Sequence, residues 1–197
     1  DVYFGWQSTF LILLLIPVLV MIVYIPSLGE TLSIAKRTPL DKKLFTIYFS
    51  LLKNKTFRYY AYSGSFGMLY FYIFCTISPI IILTKLQLPE LDYGFYFAYM
   101  GASFMLGSIL SGLIVERVSI YWTCLLGYCI SLTGGVWAYL WHFNYGLEIN
   151  GFVYPMVLMG TGGVFNLAAG SAGAMSPFGH ISGYASALSS SMRFLFA

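Results

Sequence analysis

The sequence predicts an all-α fold: a polytopic transmembrane helical bundle of about six spans. Three observations point there. The 197-residue chain is 59% hydrophobic and only 9% charged, with a mean hydropathy of +0.79. Soluble domains carry roughly 25% charged residues, so this chain could not cover a soluble surface. Apolar stretches close to the roughly 20 residues that cross a bilayer core recur along the sequence. Seven of the ten basic residues (Lys36, Arg37, Lys42, Lys43, Lys53, Lys55 and Arg58) fall in the single stretch 27–58. Lys and Arg concentrated beside spans resist translocation, so this stretch marks the cytoplasmic side.

The first span, 5–25, contains Pro17 as an expected kink and runs inward to the basic loop. It lacks a basic leader and a small-residue cleavage site, which excludes a signal peptide. Within the loop, Thr38-Pro39 suits a helix start, because Pro39 at the first helical position needs no N–H partner. Leu44, Ile47, Tyr48, Leu51 and Leu52 follow at helical spacing, with Asp41, Lys42, Lys43, Ser50 and Lys53 largely opposite. Two placements satisfy that pattern: a helix on the membrane surface, or one packed on the cytoplasmic ends of the spans.

The second span, 59–84, leaves the cytoplasm and carries the densest aromatic face, Tyr62, Phe66 and Tyr70. A short external loop with Pro89 precedes the third span, 94–115. Gly107, Ser108, Ser111 and Gly112 there form two overlapping small-xxx-small pairs, which admit a close neighbour. The turn at Glu116-Arg117 leads to the fourth span, 120–141, whose Trp137 and Trp141 sit where an interfacial belt belongs. The fifth span, 151–173, holds Gly160, Gly162, Gly163 and Asn166. A turn over 175–182 precedes a sixth span that starts at 183. A chain that opens on Asp1 and stops at Ala197 within an apolar run is expected to be a segment of a longer protein.

Several motifs in combination resemble one family. Gly5-Trp6-Gln7-Ser8-Thr9-Phe10 is similar to a Gly-Trp-Arg-x-x-Phe helix entry, and Leu28-Gly29-Glu30-Thr31-Leu32 to the Pro-Glu-Thr-Leu that follows it, with Gly29 in place of Pro. Ser50-Leu51-Leu52-Lys53-Asn54-Lys55-Thr56-Phe57 resembles the approach to a seventh helix. Ser176-Pro177-Phe178-Gly179-His180 with Gly183-Tyr184-Ala185-Ser186-Ala187-Leu188 resembles the entry to an eleventh. Together they resemble the major facilitator superfamily, in its bicyclomycin-resistance type drug/proton antiporter branch. The resemblance implies most of the C-terminal half of that fold. Residues 1–27 would be the last span of the N-terminal half, 28–58 the basic inter-bundle loop, and 59–197 an incomplete C-terminal bundle. It implies a multi-pass protein of a bacterial inner membrane, with the remaining N-terminal half as its structural partner and substrate carried at the midplane by alternating access.

Arg193 is the sharpest candidate residue, about 15 Å into the last span. An Arg at that depth costs at least ~2.5 kcal/mol unless it faces protein or water. The resembling family has Gln more often here. A fixed guanidinium favours an anionic, carboxylate-bearing substrate. The alternatives are pairing with a carboxylate in the missing half, or snorkelling. Tyr62, Phe66 and Tyr70 are candidates to line the substrate path or, equally, to pack against helices and lipid. Asn166 is a candidate substrate contact or an interhelical bond. Gly112, Glu116 and Arg117 resemble a degenerate Gly-x-x-x-Asp-Arg gating motif at a cytoplasmic loop; an ordinary solvated turn fits as well.

No carboxylate falls within a span: Asp1, Glu30, Asp41, Glu90, Asp92, Glu116 and Glu148 lie in loops or at span ends. A proton gradient is therefore implied by the resemblance alone, and no cofactor is expected. His142 and His180 fall on opposite membrane sides and cannot share a metal. Cys75, Cys124 and Cys129 have no paired ligand motif. Gly160-Thr161-Gly162-Gly163 lies inside a span and is no nucleotide loop. No nucleophile–base pair is present, so an enzyme is not expected, nor is nucleic-acid binding. The expected function is proton-coupled export of a small molecule across the bilayer. The cargo would be drug-like, or an amphiphilic metabolite such as a siderophore. The alternative is a non-transporting membrane subunit or pseudo-transporter that binds a partner protein.

Overall fold

The computed structural model describes Gly5 and residues 7–27 and 44–196. The chain divides into two units, Asp1–Lys42 and Lys43–Ala197. The first contains α1 (Gln7–Ser27), a helix that is apolar all round and runs unbroken through Pro17. The second contains α2 (Leu44–Lys53), α3 (Lys55–Pro79), α4 (Glu90–Arg117), α5 (Ile120–Tyr145), α6 (Ile149–Met175) and α7 (Ser182–Phe196). There is no strand among the described residues. The expected helix start at Thr38-Pro39 lies outside them.

Among the described residues, four helical runs are long and apolar enough to cross a membrane: Lys55–Lys85, Glu90–Arg117, Ile120–Tyr145 and Ile149–Phe196. We read the chain as a membrane protein on this ground. The last run joins α6 to α7 through a 3-10 turn, Ser176–Ile181, and breaks at Phe178 (φ −118°, ψ 35°). Taken alone, α7 has 15 residues, and the apolar run of α1, Phe10–Ile25, is also short of a full span.

Local chemistry sets the helix ends. Asn54 is extended, and its side-chain oxygen accepts from the Phe57 N–H at 3.1 Å, which starts α3 one residue after α2 stops. Pro89 immediately precedes α4, with Glu90 and Asp92 in the first turn, where a helix dipole favours acids. At the far end of α3, Pro79 cannot donate a backbone bond and the chain passes into a π-helical turn, Ile80–Lys85.

The bundle is built around α6. Its buried residues are mostly small, including Gly160, Gly162, Gly163, Ala169, Gly170 and Gly173. A Cβ added at Gly127 of α5 would sit 2.7 Å from the Gly162 carbonyl oxygen, and one at Gly163 would sit 2.8 Å from the Gly67 carbonyl oxygen of α3. Two adjacent glycines thus admit two different neighbours to backbone contact. Small side chains also dominate the interior elsewhere: Ser63, Ser65, Ser103, Ser111, Thr123 and Ser131 are buried. Large side chains such as Met105, Leu106, Ile109 and Leu113 of α4 face outward. Hydrocarbon outside solvates large aliphatics as well as a core would, so helices gain most by close approach through small residues.

Of the two small-xxx-small pairs in α4, Gly107 and Ser111 are buried against the bundle. Ser108 and Gly112 are exposed, and nothing lies within 4 Å of a Cβ at Gly112. The spacing admitted both pairs, and the position of α6 uses one.

A buried cluster closes one end of the bundle. It joins Leu51 of α2, Phe57 and Ala61 of α3, Ala174 of α6, and Ala185 and Met192 of α7, with Ile47 and Tyr48 packed against it. The short helix α2 is therefore docked on the ends of its neighbours. Leu52, expected on that docked face, points away instead (38% exposed), in line with Phe45 (85%) and Phe49 (60%).

The seam makes a quantitative prediction. Gly67→Val is expected to destabilise the protein by about 1–3 kcal/mol, because the added carbons meet the backbone of Gly163 and Leu167. Gly112→Val should change stability by less than about 0.5 kcal/mol. Unfolding of the two variants side by side in detergent checks the contrast.

Candidate functional site

Arg193 is the twelfth residue of α7, about 16 Å along the helix from its start. It is half-buried. One terminal nitrogen, Nη1, donates to Ser171 Oγ of α6 at 3.3 Å, and Nη2 donates to Ser190 Oγ of its own helix at 2.8 Å. Ser171 turns its own proton to the Leu167 carbonyl, which leaves its lone pairs for the guanidinium. The Arg193 Nε–H is buried and has no acceptor among the described residues. No carboxylate pairs with Arg193 among the described residues. The acids there, Glu90, Asp92, Glu116 and Glu148, all stand at helix ends, and Glu148 accepts from Trp141 Nε1 at 3.3 Å. Arg193 is thus a cation held by two neutral hydroxyls, with no compensating carboxylate among the described residues.

The aromatic series of α3 divides. Tyr62 and Phe66 are exposed, at 39% and 48%. Tyr62 packs edge-on against Phe196, one turn beyond Arg193, with ring centroids 5.3 Å apart. Tyr62 and Arg193 therefore share the flank where α3 meets α7, and Phe66 continues the stripe of Tyr62 by one turn. Tyr70 is half-buried, and its ring lies against Gly163 of α6.

Asn166 lies in the packed seam between α3, α5 and α6, fully buried, and not on the exposed flank. The Cys124 carbonyl can only accept, so the amide nitrogen is assigned toward it at 2.9 Å, with Ser63 Oγ accepting at 3.1 Å. The amide oxygen then accepts from the Tyr128 N–H at 3.3 Å. One side chain thereby ties α6 to α3 and to the backbone of α5.

Gly112, Glu116 and Arg117 are exposed where α4 turns into α5. No ion pair joins Glu116 or Arg117 to another described residue. His142 lies at the α5–α6 end of the bundle, and His180 lies in the turn at the opposite end of α6. No group of three or more His, Cys, Asp or Glu able to hold a metal occurs among the described residues. A groove of about 240 Å³ between α4 and α6, lined by Tyr99, Leu106, Val153 and Tyr154 among others, contains none of the candidate residues.

Sequence reasoning missed the partners. Ser190, three residues before Arg193, was within reach of the helical period. Ser171 and Ser63 carried no local signal, because each meets its partner from another helix. Compared with known proteins, the chain matches no family model, no curated protein and no solved structure.

The buried amide can be tested directly. Asn166→Leu removes the bridge, takes away the amide that donates to Ser63 Oγ and to the Cys124 carbonyl, and adds bulk to a tight seam. Interhelical bonds in membranes contribute about 0.6–1.7 kcal/mol each, so a loss of at least about 1 kcal/mol is expected. Ser63→Ala should lose less, because the Cys124 carbonyl contact remains. Denaturant unfolding in mixed micelles would measure both.

Proposed function

We propose that this chain is the larger part of the C-terminal half of a major facilitator type transporter, resembling the bicyclomycin-resistance branch and residing in a bacterial inner membrane. It acts in proton-coupled export by alternating access. Its basic 27–58 stretch and α2 face the cytoplasm. The cargo is an amphiphilic, carboxylate-bearing small molecule, of which a siderophore is one chemical example.

One observation carries the choice of cargo: the guanidinium of Arg193, about 16 Å along α7, with hydroxyl partners and no described carboxylate. A charge in that position is expensive unless something answers it. A carboxylate arriving with the substrate answers it transiently, and the planar guanidinium favours a two-point grip. The exposed rings of Tyr62 and Phe66 on the same flank suit the apolar part of such a molecule. The described residues supply no membrane-embedded carboxylate to carry the coupled proton, so in this reading that group belongs to the other half.

Export from cells expressing the full-length protein tests the proposal. Arg193→Gln is expected to lower release of an anionic metabolite by about tenfold or more, at equal protein level in the membrane. Arg193→Lys should retain part of it. Equal release of every protein-dependent compound by wild type and Arg193→Gln would remove Arg193 from the cargo site. No release by any version would favour a partner-binding membrane subunit.

A further inference from the structure

The short helix α2 has two apolar faces, and the bundle uses only one. On the docked side, Leu51 is buried and Ile47 and Tyr48 pack into the cluster at the ends of α3, α6 and α7. Tyr48 meets Tyr184 of α7 edge-on at 5.9 Å. On the other side Phe45, Phe49 and Leu52, spaced four and three residues apart, form an exposed stripe. Thr46, Ser50 and Lys53 fill the arc beside Phe45 and Phe49.

Two further observations decide what covers that stripe. The first is charge. Lys53 sits with its ammonium 4.6 Å from the Phe49 ring centroid, at the edge of the stripe. Lys55 and Arg58, in the first turn of α3, are also exposed. None of the three has a carboxylate partner among the described residues. The second is depth. Tyr59 of α3 stacks on Tyr121 of α5 with centroids 6.3 Å apart, and Tyr121 in turn packs on Trp122. All three are roughly half-exposed at this end of the bundle, where an interfacial aromatic belt would lie. Asn54, where α2 meets α3, is only five residues from Tyr59, about 7 Å along a helix. An interface at that belt would put the stripe at the level of headgroups and upper acyl chains.

We propose that α2 and the first turn of α3 form a binding surface for anionic phospholipid. Phe45, Phe49 and Leu52 lie among the acyl chains, and Lys53, Lys55 and Arg58 hold the headgroup phosphates. A neutral bilayer would satisfy the stripe but leave the three cations unanswered. The opposite face of α2 packs on α7, where Tyr48 meets Tyr184, so bound lipid steadies that end of the bundle. This inference needs only that the chain lies in a membrane, and it stands or falls independently of the transport reading.

The test uses the full-length protein with equal phosphatidylglycerol and phosphatidylcholine. Native mass spectrometry of the wild type is expected to show phosphatidylglycerol adducts in clear excess. In Lys53→Gln/Lys55→Gln/Arg58→Gln the preference should fall by about tenfold or more, while Lys53→Arg/Lys55→Arg/Arg58→Lys should keep it. No preference in the wild type, or an unchanged one in the glutamine variant, would overturn the proposal. A nitroxide attached at Phe45→Cys, with the native cysteines replaced, checks the stripe. It should be accessible to oxygen but not to a water-soluble nickel complex, and the reverse should hold at Thr46→Cys. A Phe45 position shielded from both would mean that protein covers the stripe, and the lipid surface would be wrong.

Discussion

The structure of the second unit depends on how closely helices approach α6. At Gly162 and Gly163 two neighbours reach backbone contact from different sides, α5 through Gly127 and α3 through Gly67. In water such contacts would be helped by removal of apolar surface from solvent. In hydrocarbon that term largely vanishes, and what remains is packing and hydrogen bonding between helices. A helix lined with glycine and alanine makes both available, because neighbouring backbones come near enough for short polar side chains to span the gap. Asn166 bridges three helices because Gly127, Gly162 and Gly163 keep those helices close.

The same constraint sorts the polar residues. Hydroxyls in the interior mostly bond carbonyls of their own helix one turn back, as Ser65 does to Ala61 and Thr161 to Val157. Such bonds satisfy the polar group without linking helices. Asn166 and Arg193 differ in having more donors than their own helix can take. Asn166 is satisfied by the seam, whereas Arg193 keeps a donor without an acceptor among the described residues. One buried polar residue therefore reads as structure. The other reads as a site, and that asymmetry, rather than depth alone, gives Arg193 its place in the functional proposal.

Much of the architecture was legible from sequence. Hydropathy and the roughly 20-residue length of the apolar runs marked the helices; about six spans were expected, and four of the described helical runs are long and apolar enough to cross a membrane. Asn54, Pro89 and Ser119 punctuate their ends through caps and a missing donor, which are local effects. What was not legible depends on a neighbour. Ser108–Gly112 and Gly107–Ser111 have the same spacing, and only the position of α6 distinguishes them. Leu52 fits either apolar face of α2, because a pattern of apolar and polar residues does not say which side docks. The flank shared by Tyr62 and Arg193 needed two helices more than a hundred residues apart to meet. That an amide inside a span must find partners could be read from Asn166 alone; their identity could not.

The central claim is that Arg193 faces a path open to charged solutes rather than lipid. The most direct measurement is the reaction of Arg193→Cys, in a background without the native cysteines, with a small membrane-impermeant anionic thiosulfonate. The account predicts modification from at least one side of the membrane, faster than at the outward-facing Leu106→Cys of α4. No modification at position 193 from either side, or a rate no higher than at position 106, would contradict it.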